Sequence, residues 1–268
     1  MSRPSEPERA AFSGAARRLF FSNDTVAWFL ETSTPGQLAA CTGMLERELA
    51  LRDRNKRERL LRQARFPVPK SVEGFDWSHV AFPDGWGRDE MLSLEFASRA
   101  EDLVLHGQTG RGKTHVATAL GVEATRRGMP VRFWNTATLV LALGKAKRDG
   151  DLDRLMSDLG RASLLILDEF GYVPFDVDGA RLLYQVIADS YERRSIVFTT
   201  NVEFSKWGTV FADDKLAAAI VDRVVHHGRL VEFGGPSHRL EDSLMLGTRR
   251  DQGFQGDGCG VLKPEKVS

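Results

Sequence analysis

The chain has 268 residues, of which 42% are hydrophobic and 28% charged, so we expect a water-soluble protein with one large domain or one domain with appendages. Its formal net charge is zero, from 37 basic and 37 acidic residues, so any surface that binds nucleic acid has to be local. The sequence has no run of roughly 18 or more apolar residues and no signal-peptide pattern, and Cys41 and Cys259 fit no metal-binding spacing. We therefore expect a reduced, cytoplasmic protein without a membrane span.

The first part of the chain, residues 1–66, predicts a small helical region. Residues 1–16 are polar and small and are expected to be loose, whereas residues 17–32 contain enough apolar side chains for one short helix. Residues 37–65 predict one long polar helix with a sparse apolar side. A domain boundary is expected at Phe66-Pro67-Val68-Pro69, because proline cannot continue a helix.

The second half of that long helix is basic. Between residues 52 and 65 the acidic residues are Asp53 and Glu58, whereas the basic residues are Arg52, Arg54, Lys56, Arg57, Arg59, Arg62 and Arg65. Such a run is most often a solvated helix face, and the run by itself favours that interpretation. The alternative is a contact with a nucleic-acid phosphate backbone.

From residue 102 onward strands and helices alternate, which predicts a mostly parallel sheet, and the domain that contains this sheet is expected to span residues 67–247. The aromatic residues Phe75, Trp77, Phe82 and Trp86 lie in a loop-like segment, where they cover the core or flank a bound adenine. Residues 248–268, rich in glycine and charge, are expected to form a disordered tail. Strands are predicted at 102–106, 131–134, 163–168, 195–199 and 230–233, and helices at 136–148, 151–160, 178–192 and 214–226.

The segment Gly107–Thr114 fits the phosphate-binding loop G-x-x-x-x-G-K-[ST], between a predicted strand and a predicted helix. Its backbone N–H groups and the helix N-terminus would hold the phosphates of ATP, Lys113 would reach the β- and γ-phosphates, and Thr114 would bind Mg²⁺. The alternative is a glycine turn that enters an ordinary helix. The predicted nucleotide-binding residues are Gly107, Gln108, Thr109, Gly110, Arg111, Gly112, Lys113, Thr114 and His115.

Two acidic residues follow the apolar run at 164–167. At the carboxyl end of a parallel strand, Asp168 would bind Mg²⁺ through water, and Glu169 would act as general base for the attacking water. A helix N-cap pair is the alternative for these acids. The additional strand at 131–134, together with the glutamate, is typical of ATPases that activate water rather than of kinases.

Two further residues are candidates for catalysis. Asn201 follows the strand at 195–199 and would hydrogen-bond the attacking water or the γ-phosphate, although asparagine at a strand end is usually a turn residue. Arg223 would be inserted into the site of a neighbouring subunit, although arginine at such a position most often forms a surface ion pair.

The chain resembles the IstB-like transposition helper ATPases, relatives of the replicative helicase loader DnaC in the AAA+ class. The resemblance runs from about Phe66 to Leu246 and includes Phe204-Ser205-Lys206-Trp207-Gly208 and Asp222-Arg223-Val224-Val225-His226-His227. It implies a three-layer α/β/α sandwich and an ATP-dependent homo-oligomer that prepares target DNA for a transposase. The resemblance assigns the roles given above to Lys113, Thr114, Asp168, Glu169 and Asn201. It assigns to Arg223 the role of the arginine that is inserted into a neighbouring subunit's site.

The chain also departs from the family. Arg111 replaces the usual small residue of the loop, and about the first forty residues do not resemble the family's N-terminal helices. Arg239 lies near the place of a second sensor arginine. Two alternatives stay open: a helicase loader with the same core, and a nucleotide-dependent binding module that barely hydrolyses ATP.

Overall fold

The computed structural model describes residues 5–211 and 214–237. The predicted tail at 248–268 and the sensor candidate Arg239 lie outside the described residues. Within the described ranges, no helix combines the length and the apolar character that are needed to cross a bilayer.

The centre of the molecule is a six-stranded sheet with the order β1-β6-β2-β5-β4-β3. All neighbouring strands run parallel except β1, which pairs antiparallel with β6. The mostly parallel sheet predicted from the alternating pattern is therefore confirmed. The strands are β1 (Val80–Ala81), β2 (Asp102–Gly107), β3 (Val131–Asn135), β4 (Leu164–Asp168), β5 (Ser195–Thr200) and β6 (Gly228–Phe233).

Helices cover both faces of the sheet. Successive side chains of a strand point to opposite faces, so Leu164 and Ile166 of β4 pack in one core whereas Leu165 and Leu167 pack in the other. After β1, the helices in chain order are α4 (Arg88–Ser93), α5 (Glu95–Ser98), α6 (Lys113–Arg126), α7 (Thr136–Asp149), α8 (Leu152–Gly160), α9 (Val177–Ser190), the 3₁₀ helix Phe204–Lys206, α10 (Trp207–Phe211) and α11 (Asp214–His227).

The two cores hold the three layers together. Helix α6 packs over one face of the sheet, and α7, α9 and α11 pack over the other. The four predicted aromatics of the 75–86 segment lie against the α6-side core as partly buried side chains, which agrees with a covering role. This arrangement is the predicted three-layer α/β/α sandwich.

The N-terminal residues form three helices, α1 (Glu6–Arg18), α2 (Asn23–Thr32) and α3 (Pro35–Ala64), which share a small core of their own. Residues 6–16, predicted to be loose, instead belong to α1, and Ser5 and Glu8 form a capping box at its start. The short helix predicted within 17–32 is α2, which begins only at Asn23 because the chain turns at Phe20 after α1.

Helix α3 links the N-terminal helices to the sheet. Its first half packs in the N-terminal core through Leu38, Leu45 and Leu49, whereas Ala64 lies in the core beneath α6. Directly after the helix, the ring of Phe66 stands edge-on to Phe133 of β3, with 6.0 Å between the centroids. The last turns of α3 are thus part of the packing of the sheet.

The amino-terminal end of the central strand β2 carries a buried carboxylate. Asp102 begins β2 and accepts a hydrogen bond of 2.7 Å from the backbone N–H of Ile196 on β5. Burial raises the pKa of Asp102 to about 7, with the Ile196 hydrogen bond acting in the other direction. Because the folded pKa is raised, the contribution of this group to stability is largest under acidic conditions and is lost as the pH rises toward 7.

Candidate active site

A cleft of about 840 Å³ opens at the carboxyl ends of the central strands. This is the edge at which open parallel sheets bind ligands. The cleft is lined by the predicted loop from Thr109 to His115, by Glu169 and Thr199 at the ends of β4 and β5, by Tyr172 and Thr118, and by Pro67, Val68, Lys70, Glu73, Gly74, Phe75 and Asp76 of the segment before β1.

The glycines of the loop are required by close packing as well as by conformation. Gly107 has φ 148°, and a Cβ there would lie 2.3 Å from the carbonyl oxygen of Phe233. Gly112 has φ 90°, and a Cβ there would lie 2.6 Å from the ring of Phe75. The loop is therefore held between β6 and the segment before β1, with its backbone turning into the N-terminus of α6.

Lys113 is nearly buried within the loop, with 6% of its surface exposed. Its Nζ donates a hydrogen bond of 2.8 Å to the carbonyl oxygen of Gln108. The ammonium group thus lies inside the curve of the loop, where the loop's backbone N–H groups and the helix N-terminus create a positive field. This place suits a group that exchanges a carbonyl partner for a phosphate.

Asp168 joins three elements to β4, two of them through one carboxylate oxygen. Its Oδ1 accepts hydrogen bonds from the hydroxyl of Thr114 at 2.7 Å and from the hydroxyl of Thr199 at 2.6 Å. Its backbone carbonyl accepts the hydroxyl of Thr136 at 2.8 Å. Asp168 thereby fixes the positions of the phosphate loop, β5 and the start of α7 relative to β4.

Glu169 lines the cleft beside this network. It has φ 56°, an uncommon conformation for a residue with a side chain, and its N–H donates to the hydroxyl of Thr199 at 2.9 Å. Its Oε2 accepts a hydrogen bond of 2.7 Å from Nδ2 of Asn135. Asn135 ends β3 and lies opposite Asp168 in the pairing of β3 with β4.

The orientation of the Asn135 amide is fixed by its second contact. Its Oδ1 accepts from the backbone N–H of Thr138 at 3.3 Å and so caps α7, which leaves the NH₂ group to face Glu169. In the sheet, β4 lies between β3 and β5, and the phosphate loop follows β2 on the far side of β5. Asn135 therefore holds the Glu169 carboxylate toward the side of the sheet away from the loop.

The segment before β1 forms the other wall of the cleft. His115 Nε2 lies 2.7 Å from the carbonyl oxygen of Ser71, which connects the first turn of α6 to this segment. The ring of Phe75 lies 5.4 Å from that of His115 and 4.7 Å from that of Trp77, measured between centroids. This wall is an aromatic surface next to the phosphate loop, as a site for a nucleotide base requires.

Arg111 points along the outer side of the loop. One terminal nitrogen donates to the carbonyl oxygen of Phe233 at 3.3 Å, and the other donates to the side chain of Gln108 at 3.0 Å. Opposite it, the hydroxyls of Thr109 and Tyr172 are 3.4 Å apart. Arg111 thus connects the loop to the end of β6 and also lines the cleft.

Two predicted catalytic residues lie outside the lining of the cleft. Asn201 is exposed and follows β5 directly, near the end of the sheet that carries Asp168. Arg223 lies on α11, where its Nη1 donates to the carbonyl oxygen of Ala219 at 2.9 Å and its Cζ lies 5.1 Å from the ring centroid of Tyr184. Their catalytic roles stay predictions.

The residues fit a magnesium ion that enters with a nucleotide. The Thr114 hydroxyl and the Asp168 carboxylate already lie within 2.7 Å of each other, and Mg²⁺ prefers such oxygen ligands, with phosphates and water completing its shell. Among the residues that the structure describes, no group of three or more His, Cys, Asp or Glu side chains is placed to hold a metal.

Three contributors to the site had no assigned role in the sequence pattern. Thr199 and Asn135 are polar residues at strand ends, and their position at the carboxyl edge was the one signal that could have indicated them. Tyr172 belongs to the Gly-Tyr pair of the family resemblance, but nothing in the spacing indicates its contact with Thr109.

If Asn135 restrains Glu169, its removal releases the carboxylate. If this cleft binds and hydrolyses ATP, we expect Asn135→Ser to raise the rate several-fold, because serine keeps a cap for α7 but has no amide donor for Glu169. The rate is measured as phosphate release. Asp176→Ser, which makes the same kind of exchange at the cap of α9, is the matched control and leaves the rate unchanged. A lower rate in Asn135→Ser would mean that Asn135 holds Glu169 in its productive position.

Comparison with known proteins identifies the family. The family profile described as "IstB-like ATP binding protein" matches residues 31–245. The chain is 38% identical over 203 residues to the "Insertion sequence IS21 putative ATP-binding protein" of Pseudomonas aeruginosa, covering 76% of this chain and 77% of that protein. It is 36% identical over 195 residues to the corresponding protein of IS232 from Bacillus thuringiensis, covering 73% and 78%.

A solved structure supports the fold. AMPPCP-bound DnaA from Aquifex aeolicus superposes with a TM-score of 0.51 at 17% identity, over 66% of this chain and 54% of that one. The predicted AAA+ fold and the family resemblance are both confirmed, and the chain belongs to the IstB-like ATP-binding proteins of IS21-type insertion sequences.

Proposed function

We propose that this protein is an ATPase that assembles on target DNA and assists a transposase. The observation that carries the proposal is the network on Asp168 Oδ1, which joins Thr114 of the phosphate loop to Thr199, with the Glu169 carboxylate beside it in the cleft. A cleft that only bound a nucleotide would not need the acidic side chain of Glu169 beside this network.

Each residue has a defined part in hydrolysis. The loop N–H groups and Lys113 bind the phosphates and neutralise charge as the bond between the γ-phosphorus and its bridging oxygen breaks. Glu169 accepts a proton from the water whose oxygen attacks the γ-phosphorus, and ADP and phosphate leave. Thr114 and, through water, Asp168 would hold Mg²⁺, which would supply further positive charge at the phosphates. Asn201 is proposed to orient the attacking water.

The relatives favour transposition over helicase loading. Three of the similar proteins are named for the insertion sequences IS21, IS232 and IS5376, and the last of these comes from Geobacillus stearothermophilus. An insertion sequence needs a transposase, so we propose a transposase as the protein partner and DNA as the shared substrate. The presence of Glu169 and Asn201 argues against the module that barely hydrolyses ATP.

Glu169→Gln tests the chemistry. Glutamine keeps the size of the side chain and an oxygen for Asn135, but it cannot accept the proton, so we expect turnover to fall roughly 10²- to 10⁴-fold. ATP affinity, measured by calorimetry, stays close to that of the unchanged protein. Normal turnover in this variant would show that Glu169 is not the general base. The proposed activity would then need another residue in that role.

We further propose that the active site is completed between subunits. Arg223 is held within its own subunit by Ala219 and by the ring of Tyr184, and it does not line its own cleft. Because α11 packs on the sheet through Ala217, Ile220 and Val224, its backbone is fixed. An arginine on a fixed helix at this position is suited to reach a neighbouring subunit's γ-phosphate, and ATP shared across that interface would stabilise the oligomer.

A mixing experiment tests this arrangement. Arg223→Ala has an intact loop without the arginine, and Lys113→Ala has the arginine without a working loop, so each alone is expected to be nearly inactive. When the two variants are mixed in the presence of DNA, the mixture should regain part of the rate of the unsubstituted protein, because some interfaces then combine an intact loop with an intact arginine.

The control is a mixture of Lys113→Ala with Glu169→Gln, in which both arginines are intact but every site is damaged, and it should stay inactive. Full hydrolysis by Arg223→Ala alone would contradict the assignment. So would an inactive mixture of Arg223→Ala with Lys113→Ala whose light scattering shows normal assembly.

A further inference from the structure

An aromatic side chain stands out from the turn between α1 and α2. Phe20 is 91% exposed, the most of any large hydrophobic residue among those described. It follows α1 in a Schellman-type ending, in which the N–H of Phe20 donates to Arg17 and the N–H of Phe21 donates to Ala16. The position adopts φ 64°, which glycine occupies without strain.

Phe20 is therefore unfavourable in two ways. A residue with a Cβ is strained in the left-handed conformation, and its ring gains almost nothing from packing at 91% exposure. Glycine would end the helix without either cost. A residue that costs stability in the isolated chain is a candidate for a role in binding.

The surroundings of this turn are basic. Arg18 forms an ion pair with Asp53 at 3.5 Å, which brings the end of α1 beside the start of the basic run of α3. Arg57 lies one helical turn beyond Asp53 on the same side of α3 and is exposed. The neighbouring Phe21 is 44% exposed.

Part of the basic run has no acidic partner. Arg52 pairs with Glu48 and Arg54 pairs with Glu58, each at the spacing of one turn. Lys56, Arg57 and Arg59 are exposed and form no ion pair within the described ranges of the chain. Exposed cations beside exposed aromatic rings suit a ligand that has both anionic groups and flat apolar faces.

We propose that the aromatic tip, defined as Phe20 and Phe21 together with Arg57 of α3, binds single-stranded DNA. An unpaired base stacks on Phe20, and the adjacent phosphate contacts Arg57. Duplex DNA offers phosphates but hides the faces of its bases, so the rings select unpaired or unstacked DNA. The proposal rests on the DNA binding proposed above but not on ATP hydrolysis, and it adds a binding surface outside the ATPase cleft.

The test compares three variants by fluorescence anisotropy with a labelled thymidine oligonucleotide and with a labelled duplex. We expect Phe20→Gly to weaken single-strand binding about 5- to 100-fold, since one base can no longer stack on a ring. Phe20→Tyr keeps a ring and is expected to retain the affinity to within about twofold. Met44→Ala, at another exposed apolar side chain of the N-terminal helices, is the matched control and is expected to have no effect.

Stability separates binding from folding. Because glycine relieves the strain at this position, the midpoint of thermal unfolding of Phe20→Gly should equal or exceed that of the unchanged protein while its single-strand affinity falls. Duplex affinity should change by less than about twofold, since phosphates supply that binding. Arg57→Ala should reduce the slope of the salt dependence of single-strand binding by about 0.7 for each phosphate that Arg57 neutralises.

Each failure has its own meaning. Binding to neither oligonucleotide would contradict the proposed DNA-dependent function as a whole. Normal duplex binding with unchanged single-strand affinity in Phe20→Gly would overturn the role of the tip and leave the proposed function standing. Loss of self-association, or of binding to anionic vesicles, with unchanged DNA binding in Phe20→Gly would show that the tip meets a protein or a membrane, and would overturn the inference as well.

Discussion

One carboxylate oxygen organises the site. Asp168 Oδ1 accepts the hydroxyls of Thr114 and Thr199, so the phosphate loop, β4 and β5 keep fixed relative positions. Two hydrogen bonds to a charged acceptor in a buried place are stronger than neutral ones, and losing the acceptor would leave two hydroxyls unsatisfied. The apolar sheet around Asp168 excludes water and holds the strand end in place, so the geometry exists before any ligand arrives.

The same strand end explains how the reaction can be controlled. Glu169 follows Asp168 in a left-handed conformation and is engaged by Asn135 at the end of β3. A carboxylate held by an amide on the side away from the loop is a poorer base for a water near the γ-phosphate. The site thus combines the proposed phosphate and metal position with the proposed base, which Asn135 holds, and the arginine proposed to complete it lies on a helix outside the lining of its own cleft.

The sequence predicted most of this architecture for identifiable physical reasons. The loop from Gly107 to Thr114 and the apolar strand before Asp168 are local patterns, so their positions follow from spacing alone. The contact of Asn135 with Glu169 depends on the register of β3 against β4, which no local pattern contains. Helix α1 has few apolar residues, so periodicity does not reveal it, and the turn at Phe20 is hidden because a phenylalanine there breaks the usual preference for glycine. The roles of Asn201 and Arg223 depend on a ligand and a neighbouring subunit, which lie beyond the geometry of one chain.

The central claim is that Thr114 and Asp168 form a metal position that serves bound ATP. The most direct measurement is the affinity for ATP, by calorimetry, with Mg²⁺ and with EDTA, in the unchanged protein and in Asp168→Asn. Asparagine keeps an oxygen that can accept both threonine hydroxyls but removes the charge. The account predicts that Asp168→Asn binds ATP normally in EDTA and loses most of the affinity that Mg²⁺ adds to the unchanged protein. An equal gain from Mg²⁺ in both proteins would contradict it.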